Sequence, residues 1–152
     1  MGDMRFTTTV ESRPRGGVSI ALPADPDATW GAKDRHYVAG SIQGYGVRGV
    51  VTSVGGRHVL QLGPSWCRDP RVGPGAEVSV VLRPEGPQLD SMSPDVAAAL
   101  RSEPVARRFF ESLATFYRNG FVDWIEAAKR PETRAGRIEA TLEALKAGRR
   151  ER

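Results

Sequence analysis

The sequence predicts an α+β protein in which a small six-stranded β-barrel is followed by a layer of about four short helices. In the first half, apolar and polar residues alternate, which is typical of half-buried strands. After Pro94 the apolar spacing changes to that of helices. Most of the 17 glycines and 11 prolines precede Pro94 and separate short segments. We therefore expect a barrel domain at 1–84, a linker at 85–93, a helical region at 94–148 and a basic tail at 149–152.

The strand prediction depends on alternation and on turn residues between the alternating segments. Val18, Ile20 and Leu22, for example, fall on one face of the second segment. Residues 43–46 and 55–56 are glycine-rich and suit hairpin turns. Closing short strands into a barrel removes their exposed edges. The predicted strands are 5–11, 17–22, 37–42, 47–53, 58–62 and 76–83.

Two irregular segments, 23–34 and 63–75, interrupt the strands, and each carries a tryptophan. The first has room for one helical turn. Trp30 and Trp66 allow two interpretations, a lid over a small core or the wall of a binding site. On the binding interpretation, the candidate ligand-binding residues of the whole chain are Trp30, His36, Arg48, His58, Trp66, Tyr117 and Trp124.

The second half carries helix start and stop signals at regular intervals. Ser93 with Pro94, then Pro104, Thr115 and Pro131 begin the predicted helices, and Gly148 ends the last one. The aromatic residues of this layer carry more apolar area than about 60 residues can bury alone. We therefore expect the layer to dock on the barrel or on a second copy of the chain, in a monomer or a homodimer. The apolar faces are Val96, Ala97 and Leu100; Val105, Phe109, Phe110 and Leu113; Tyr117, Phe121, Trp124, Ile125 and Ala128; and Ala135, Ile138, Leu142 and Leu145.

The charge and composition limit the class of protein. The net charge of +4 is mild and dispersed, which argues against a nucleic-acid partner. A single cysteine, Cys67, fits a reducing compartment. No apolar run reaches the roughly 20 residues that span a bilayer, so we expect a cytoplasmic protein without a membrane partner.

The sequence carries no recognisable catalytic or metal-binding motif. One cysteine and two histidines, His36 and His58, have no acidic residue at ligand spacing, so we predict neither a metal nor a cofactor. A nucleophile elbow and a phosphate-binding glycine loop are also missing from the sequence. Whether the protein is an enzyme therefore stays open.

The charged joint at 129–134 has two interpretations. In the structural one, Lys129 and Arg130 lie in the last turn of a helix that Pro131 ends, and Arg134 and Arg137 pair with Glu126 or Asp123. In the functional one, cations converge on an anion at a helix N-terminus. The candidate anion-binding residues are Lys129, Arg130, Arg134 and Arg137.

The same joint carries a family resemblance. Residues 121–134, FVDWIEAAKRPETR, followed by Arg137 and Ile138, resemble the signature of the bacterial bacteriocin-protection family, also called YdeI/OmpD-associated. The first half is similar to the small barrel domain of unknown function that often precedes it, through FTTTVE at 6–11, VxGSIQG at 38–44 and GxGxEVxV at 73–80. The resemblance implies a double-split β-barrel and a link to stress or antimicrobial tolerance, but it defines no reaction.

The chain departs from the family pattern at two places. Residues 63–72 contain two prolines and no lysine where relatives commonly have a basic helical segment, which puts a regular helix in doubt there. Ala76 replaces the usual aspartate. If relatives use this segment to bind nucleic acid or a partner, we expect this chain to have lost or changed that function.

Three functional hypotheses follow. The first is a non-catalytic protein that binds a small molecule or a protein partner in stress or antimicrobial tolerance. The second is an enzyme or cyclisation chaperone that holds an apolar metabolite in the barrel, with His36, His58, Tyr117 and Glu126 as candidate acid/base groups. The third is DNA binding, which depends on analogy of fold alone.

Overall fold

The computed structural model describes residues 2–152, and the chain divides into two compact units. The first comprises the residues up to Ala32 together with His36–Glu85. The second comprises Lys33–Arg35 and Gly86–Arg152. The first unit contains the strands and the second the helices of the C-terminal half, so the α+β class predicted from the sequence is confirmed.

The first unit is a nearly closed antiparallel barrel of seven strands in the order β1-β7-β4-β5-β6-β3-β2. Along the barrel, every pair of neighbouring strands runs antiparallel. A short helix, α1, lies between β3 and β4. The strands are β1 (Met4–Thr9), β2 (Glu11–Ser12), β3 (Val18–Ala21), β4 (His36–Ile42), β5 (Tyr45–Val54), β6 (Arg57–Leu62) and β7 (Glu77–Pro84), and α1 is Pro26–Trp30.

The barrel has one strand more than predicted because the first segment is divided at Val10. The backbone N–H of Val10 donates to the carbonyl of Ala76, and its carbonyl accepts from the N–H of Gly75. Before Val10 the chain pairs with β7, and after it the chain pairs with β3. Val10 therefore lies where the two ends of the sheet meet, and the barrel nearly closes there.

The barrel interior is filled by the apolar faces of its strands. Val18, Ile20 and Leu60 are fully covered, as alternation predicts. In β4 the backbone of a neighbouring strand approaches so closely that only glycine fits at position 40, since a Cβ there would lie 1.8 Å from the carbonyl oxygen of Val81. Gly40 is thus a packing requirement of the barrel.

The second unit contains four α-helices, as predicted, and one short 3₁₀ turn. Its apolar core includes Leu100, Phe110, Phe121, Ile125 and Leu145. In the part of the chain that the structure describes, no helix is both long and apolar enough to cross a membrane. The helices are α2 (Pro94–Ser102), α3 (Pro104–Ser112), α4 (Thr115–Glu126) and α5 (Pro131–Lys146), and the turn is Leu89–Ser91.

Several helix details differ from the prediction. Helix α4 ends at Glu126, so Lys129 and Arg130 follow the helix and do not lie in its last turn. Ala114, one residue before Thr115, is its N-cap. Val105 is 65% exposed, because Ala106 and Phe110 form the buried face of α3.

The face predicted for α5 also shifts along the helix. Ala135 is exposed, and the buried residues lie in the second half of the helix, where Thr141, Leu142, Ala144 and Leu145 pack inwards. The stop signal at Gly148 is correct, since its φ is +75° and the N–H of Arg149 bonds back to the carbonyl of Ala144.

Candidate functional site

An open cleft lies beside the β4–β5 hairpin of the barrel. Tyr45 begins β5, and Trp66 lies in the 3₁₀ turn Pro64–Arg68, which occupies the segment where prolines put a regular helix in doubt. The two rings meet edge to face, with centroids 6.4 Å apart and an interplanar angle of 86°. Tyr45 is 40% exposed and Trp66 is half-buried, so the two aromatic rings present apolar surface to solvent.

The cleft has the size of a small-molecule site. Its volume is about 340 Å³, at the lower end of the range typical of ligand pockets. Val72 is buried in the barrel core, and Trp66 packs against that core, so this side of the cleft is fixed. The lining residues are Tyr45, Gly46, Ser65, Trp66, Asp69 and Val72.

The polar side of this cleft is an ion pair joined to the tyrosine. Asp69 accepts from Arg71 through both carboxylate oxygens, at 3.1 and 2.9 Å, and from the Tyr45 hydroxyl at 3.0 Å. Arg71 also donates to the Tyr45 hydroxyl and lies over its ring, 5.6 Å from the centroid. These hydrogen bonds from Arg71 lower the pKa of Asp69 to about 2. Asp69 is therefore ionised at neutral pH, and the aromatic rings form the open wall.

The hairpin turn that positions Tyr45 is held by a side chain. Gln43 has a φ of +50°, which is unusual for a residue other than glycine. Its amide oxygen accepts from the Ser79 N–H at 2.6 Å, and its own N–H donates to the Ser79 carbonyl at 2.9 Å. Gln43 thus extends the pairing of β4 with β7 into the turn, which fixes where β5 and Tyr45 begin.

The structure places the other loop tryptophan inside the barrel core. Trp30 is 1% exposed, and its indole N–H donates to the Gly2 carbonyl at 2.9 Å. The His36 ring lies 6.1 Å from the Trp30 ring and its Nε2 is 2.5 Å from the Asp27 carboxylate. Trp30 and His36 thus cover and complete the core, in agreement with the lid interpretation of Trp30.

The remaining barrel candidates lie apart from the Tyr45–Trp66 cleft. The Nε2 of His58 is 3.6 Å from the Asp25 carboxylate, and Arg48 forms an ion pair with Glu85. Neither His58 nor Arg48 lines that cleft. Of the candidates predicted in the barrel, Trp66 alone contributes to it.

At the joint between α4 and α5, Arg134 is held by two carboxylates. Its guanidinium donates to Asp95 at 2.6 and 2.8 Å and to Glu126 at 3.0 and 2.9 Å. Ser93 donates to the same Glu126 at 2.7 Å. The pKa values of Asp95 and Glu126 are lowered, chiefly by these hydrogen bonds from Arg134. This fork, formed by Arg134 with Asp95 and Glu126, therefore links the start of α2 to the end of α4 and the start of α5.

The other cations of the joint do not converge with Arg134. Arg137 donates to the Trp124 carbonyl at 2.6 Å and lies over the Trp124 ring, 5.1 Å from its centroid. Lys129 and Arg130 are exposed. The arrangement favours the structural interpretation for Arg134, whereas Arg137 bonds to a backbone carbonyl and lies over an aromatic ring instead of pairing with an acidic residue.

Sequence comparison connects both units to known families. The profile of the family described as "Bacteriocin-protection, YdeI or OmpD-Associated" matches residues 91–148. The profile of a domain of unknown function, DUF1905, matches residues 6–82, just over half of the chain. The chain belongs to the DUF1905 family, and its second half carries a bacteriocin-protection, YdeI/OmpD-associated region. No curated protein matches the chain.

The bacteriocin-protection signature has a structural explanation in this chain. Phe121 and Ile125 are buried in the helical core, and Glu126 and Arg134 form the fork. In the DUF1905 barrel, Gly40 allows the close approach of β7, and Gln43 holds the hairpin turn. The residues on which the resemblance depends therefore largely maintain the fold.

Tyr117 and Trp124 lie on the partly exposed side of α4. The Phe116 and Tyr117 rings meet edge to face, with centroids 5.3 Å apart. Arg150 lies over Tyr117 at 4.9 Å, and Arg152 lies over Trp124 at 4.8 Å. A groove of about 400 Å³ runs beside Phe116 and Tyr117. Trp124 is absent from its lining, so the structure does not bring these two candidates into one cleft.

Sequence reasoning missed several residues that line the Tyr45–Trp66 cleft or hold buried carbonyl groups. Tyr45 was assigned to a turn, and Asp69 and Arg71 to an irregular segment, where no periodic pattern predicts contacts. Arg118 is 4% exposed and donates to the carbonyls of Leu113 and Pro87 at 3.0 and 3.1 Å. Among the described residues, no group of three or more His, Cys, Asp or Glu side chains is placed to hold a metal.

Proposed function

We propose that this protein is a non-catalytic binding protein that takes a small apolar or aromatic molecule into the Tyr45–Trp66 cleft. The proposed setting is stress or antimicrobial tolerance in the bacterial cytoplasm. The single observation that carries the proposal is the pair of partly exposed rings, fixed edge to face, beside a cleft of about 340 Å³ outside the packed core.

The fixed geometry of the wall supports binding of a flat apolar group. Gln43 holds the turn before Tyr45, and Asp69 and Arg71 hold its hydroxyl, so the ring is preorganised. A bound molecule then loses less free energy to ordering the site. Stacking against an aromatic ring contributes about 0.5–1.5 kcal/mol beyond the burial of area.

The alternatives have less support. Side chains such as Ile20, Val38 and Leu82 fill the barrel interior, where an enclosed substrate would need space. The candidate acid/base groups are distributed between the units: His36 and His58 face Asp27 and Asp25 in the barrel, whereas Tyr117 and Glu126 belong to the helical unit. DNA binding is supported by analogy of fold alone.

Indole N–H signals in proton–nitrogen NMR spectra test the proposal. The chain has three tryptophans, so the variants Trp66→Phe and Trp124→Phe assign the signals of Trp66, Trp124 and, by difference, Trp30. A panel of small planar molecules, such as indole and naphthalene derivatives, is titrated into the labelled protein. We expect saturable shifts of the Trp66 signal while the Trp124 and Trp30 signals stay in place.

A matched pair of variants controls the result. Tyr45→Ala removes one wall of the cleft, whereas Tyr37→Ala removes a tyrosine that does not line it. Loss of the Trp66 shift in the Tyr45 variant alone supports the proposal. Unchanged shifts in the Tyr45 variant, or no shift from any planar molecule at millimolar concentration, contradict it.

A further inference from the structure

A second cleft lies on the outer face of the barrel, between the β2–β3 and β5–β6 hairpins. Its volume is about 340 Å³. Glu11, Ser19 and Gln61 lie in one row across β2, β3 and β6, because Glu11 pairs with Ser19 and Ser19 pairs with Gln61. The row forms one end of the floor, and the β2–β3 turn forms a wall. The lining residues are Glu11, Arg13, Pro14, Arg15, Ser19, Val54, Arg57, Val59 and Gln61.

The floor of this cleft breaks the expected alternation of the strands. Leu60 and Leu62 of β6 belong to the barrel core, so Val59 and Gln61 face outwards. An outward position is ordinarily polar, yet Val59 is apolar and only 5% exposed, outside the core cluster. Val54, which lines the same cleft, is 52% exposed. The outer face therefore has an apolar floor that the barrel core does not require.

The rim of the cleft is cationic. Arg13, Arg15 and Arg57 line it together with one carboxylate, Glu11, which pairs with Arg57 at 2.7 Å. This pair is about half exposed and contributes little to stability, so an incoming anion displaces it at small cost. Among residues 2–152, the side chains of Arg13 and Arg15 have no carboxylate partner. Two guanidinium groups are thus available to an anion.

The turn that carries these arginines has a defined shape. The Arg13 N–H donates to the Gly17 carbonyl, and the Gly16 N–H donates to the Arg13 carbonyl, each at 3.2 Å. Gly17 has a φ of +79°, and a Cβ there would lie 2.6 Å from the Leu62 carbonyl oxygen. The turn is therefore seated against the end of β6, which keeps Arg13 beside the floor.

We propose that this outer cleft binds a soluble anionic amphiphile, a small molecule that joins a carboxylate or phosphate group to an apolar part. Guanidinium groups bind carboxylate and phosphate through paired hydrogen bonds, so Arg13 and Arg15 hold the anion. Val54, which is 52% exposed, contacts the apolar part, and Val59 lies at the floor of the cleft. The site is separate from the Tyr45–Trp66 cleft and does not depend on the function proposed there.

Calorimetry and methyl NMR with octyl phosphate test this site. We expect saturable shifts of the Val54 and Val59 methyl signals with no shift of the Trp66 indole signal. The double variant R13A/R15A should weaken binding about tenfold or more, the loss expected for one charge-assisted hydrogen bond. The control variant Arg83→Ala removes an exposed arginine of β7 that does not line the cleft and should leave affinity unchanged.

Three further arms identify what the cleft recognises. Inorganic phosphate and octyl glucoside should each bind far more weakly than octyl phosphate, because each supplies only one half of the ligand. Equal binding of octyl glucoside, or full affinity of the double variant, overturns the proposal. Sedimentation of the protein with vesicles of anionic phospholipid, lost in the double variant, would assign the arginines to a membrane surface and overturn the soluble-ligand proposal as well.

Discussion

The Arg134 guanidinium makes two parallel hydrogen bonds to the Asp95 carboxylate, with Nε–Oδ2 at 2.6 Å and Nη2–Oδ1 at 2.8 Å. The remaining edge of the same guanidinium meets Glu126. The hydrogen-bond donors of Arg134, a candidate anion-binding residue in the sequence analysis, are therefore already bonded to two carboxylates. In this arrangement, Arg134 joins three helices of the unit.

Replacing Arg134 should destabilise the helical unit. We expect Arg134→Lys to lower the free energy of unfolding by about 1 kcal/mol and Arg134→Ala by about 1–2 kcal/mol, because lysine keeps the charge but not the fork, and solvent screens the network. Urea unfolding followed by far-UV circular dichroism measures this. Arg107→Ala, which removes a pair with Glu111 within one helix, is the control and should cost at most about 0.5 kcal/mol. Equal effects at Arg134 and Arg107 would refute the role of the fork.

The same fork predicts how the helical unit responds to acid. The pKa values of Asp95 and Glu126 are lowered in the folded state, so their ionised forms stabilise the fold above the ordinary pKa of about 4. This contribution is lost as pH falls through the lowered pKa values. Urea unfolding followed by circular dichroism at pH 6 and pH 3 should show that acid lowers the free energy of unfolding less in Arg134→Met than in the parent protein. An identical loss in both would show that other carboxylates control the acid response.

Asp69 should titrate far below an ordinary aspartate. Its pKa of about 2 follows from hydrogen bonds from the Arg71 side chain and backbone, and we expect its carboxyl carbon signal to change only near that pH. Arg71→Ala should return the pKa towards about 4. Unchanged titration of Asp69 in the variant would mean that Arg71 does not hold it.

Gly40 should tolerate no larger residue. A Cβ at this position would lie 1.8 Å from the Val81 carbonyl oxygen, and backbone cannot give way as a side chain can. Gly40→Ala should therefore destabilise the barrel by about 3 kcal/mol or more. Gly46→Ala is a matched control in β5, since a Cβ there meets nothing within 4 Å, and should change stability by about 0.5 kcal/mol at most. Thermal unfolding of both variants compares them.

Arg118 is expected to be the most sensitive charged residue of the helical unit. Its removal leaves the carbonyls of Leu113 and Pro87 without a donor in a buried place, so Arg118→Met should cost about 3 kcal/mol. Arg101→Met removes an exposed pair with Asp90 and should cost about 0.5 kcal/mol or less. Urea unfolding measures both. Similar midpoints for the two variants would show that solvent replaces the lost donor at Arg118.

The sequence predicted most of the fold because the two periodicities reflect burial directly. Alternation located Val18 and Ile20, and helical spacing located Phe121 and Ile125. The division at Val10 was missed because the change of pairing partner from β7 to β3 leaves no trace in a pattern of apolar residues. Val105 was misassigned because Ala106 supplies the close packing there, and a small residue carries little weight in such a pattern.

The candidate site was less predictable, for a physical reason. Tyr45, Trp66 and Asp69 come together through a hairpin and a loop, and loop conformation depends on contacts that no local pattern encodes. One of the two carboxylate partners of Arg134 was also missed. Glu126 is near it in sequence and was named, whereas Asp95 lies on another helix and meets it only in three dimensions.

Met4 of β1 pairs with Leu82 of β7, so the first strand of the barrel must wait for the last one to be synthesised. On the ribosome, β1 emerges first and has no ladder partner until β7 follows, and β4 likewise pairs with β7 along one edge. Until then, both strands expose unpaired backbone groups. The helices pair over shorter separations, as Asp95 does with Arg134, so they assemble sooner after their synthesis. A stalled nascent chain that ends before β7 is consequently a good substrate for chaperones.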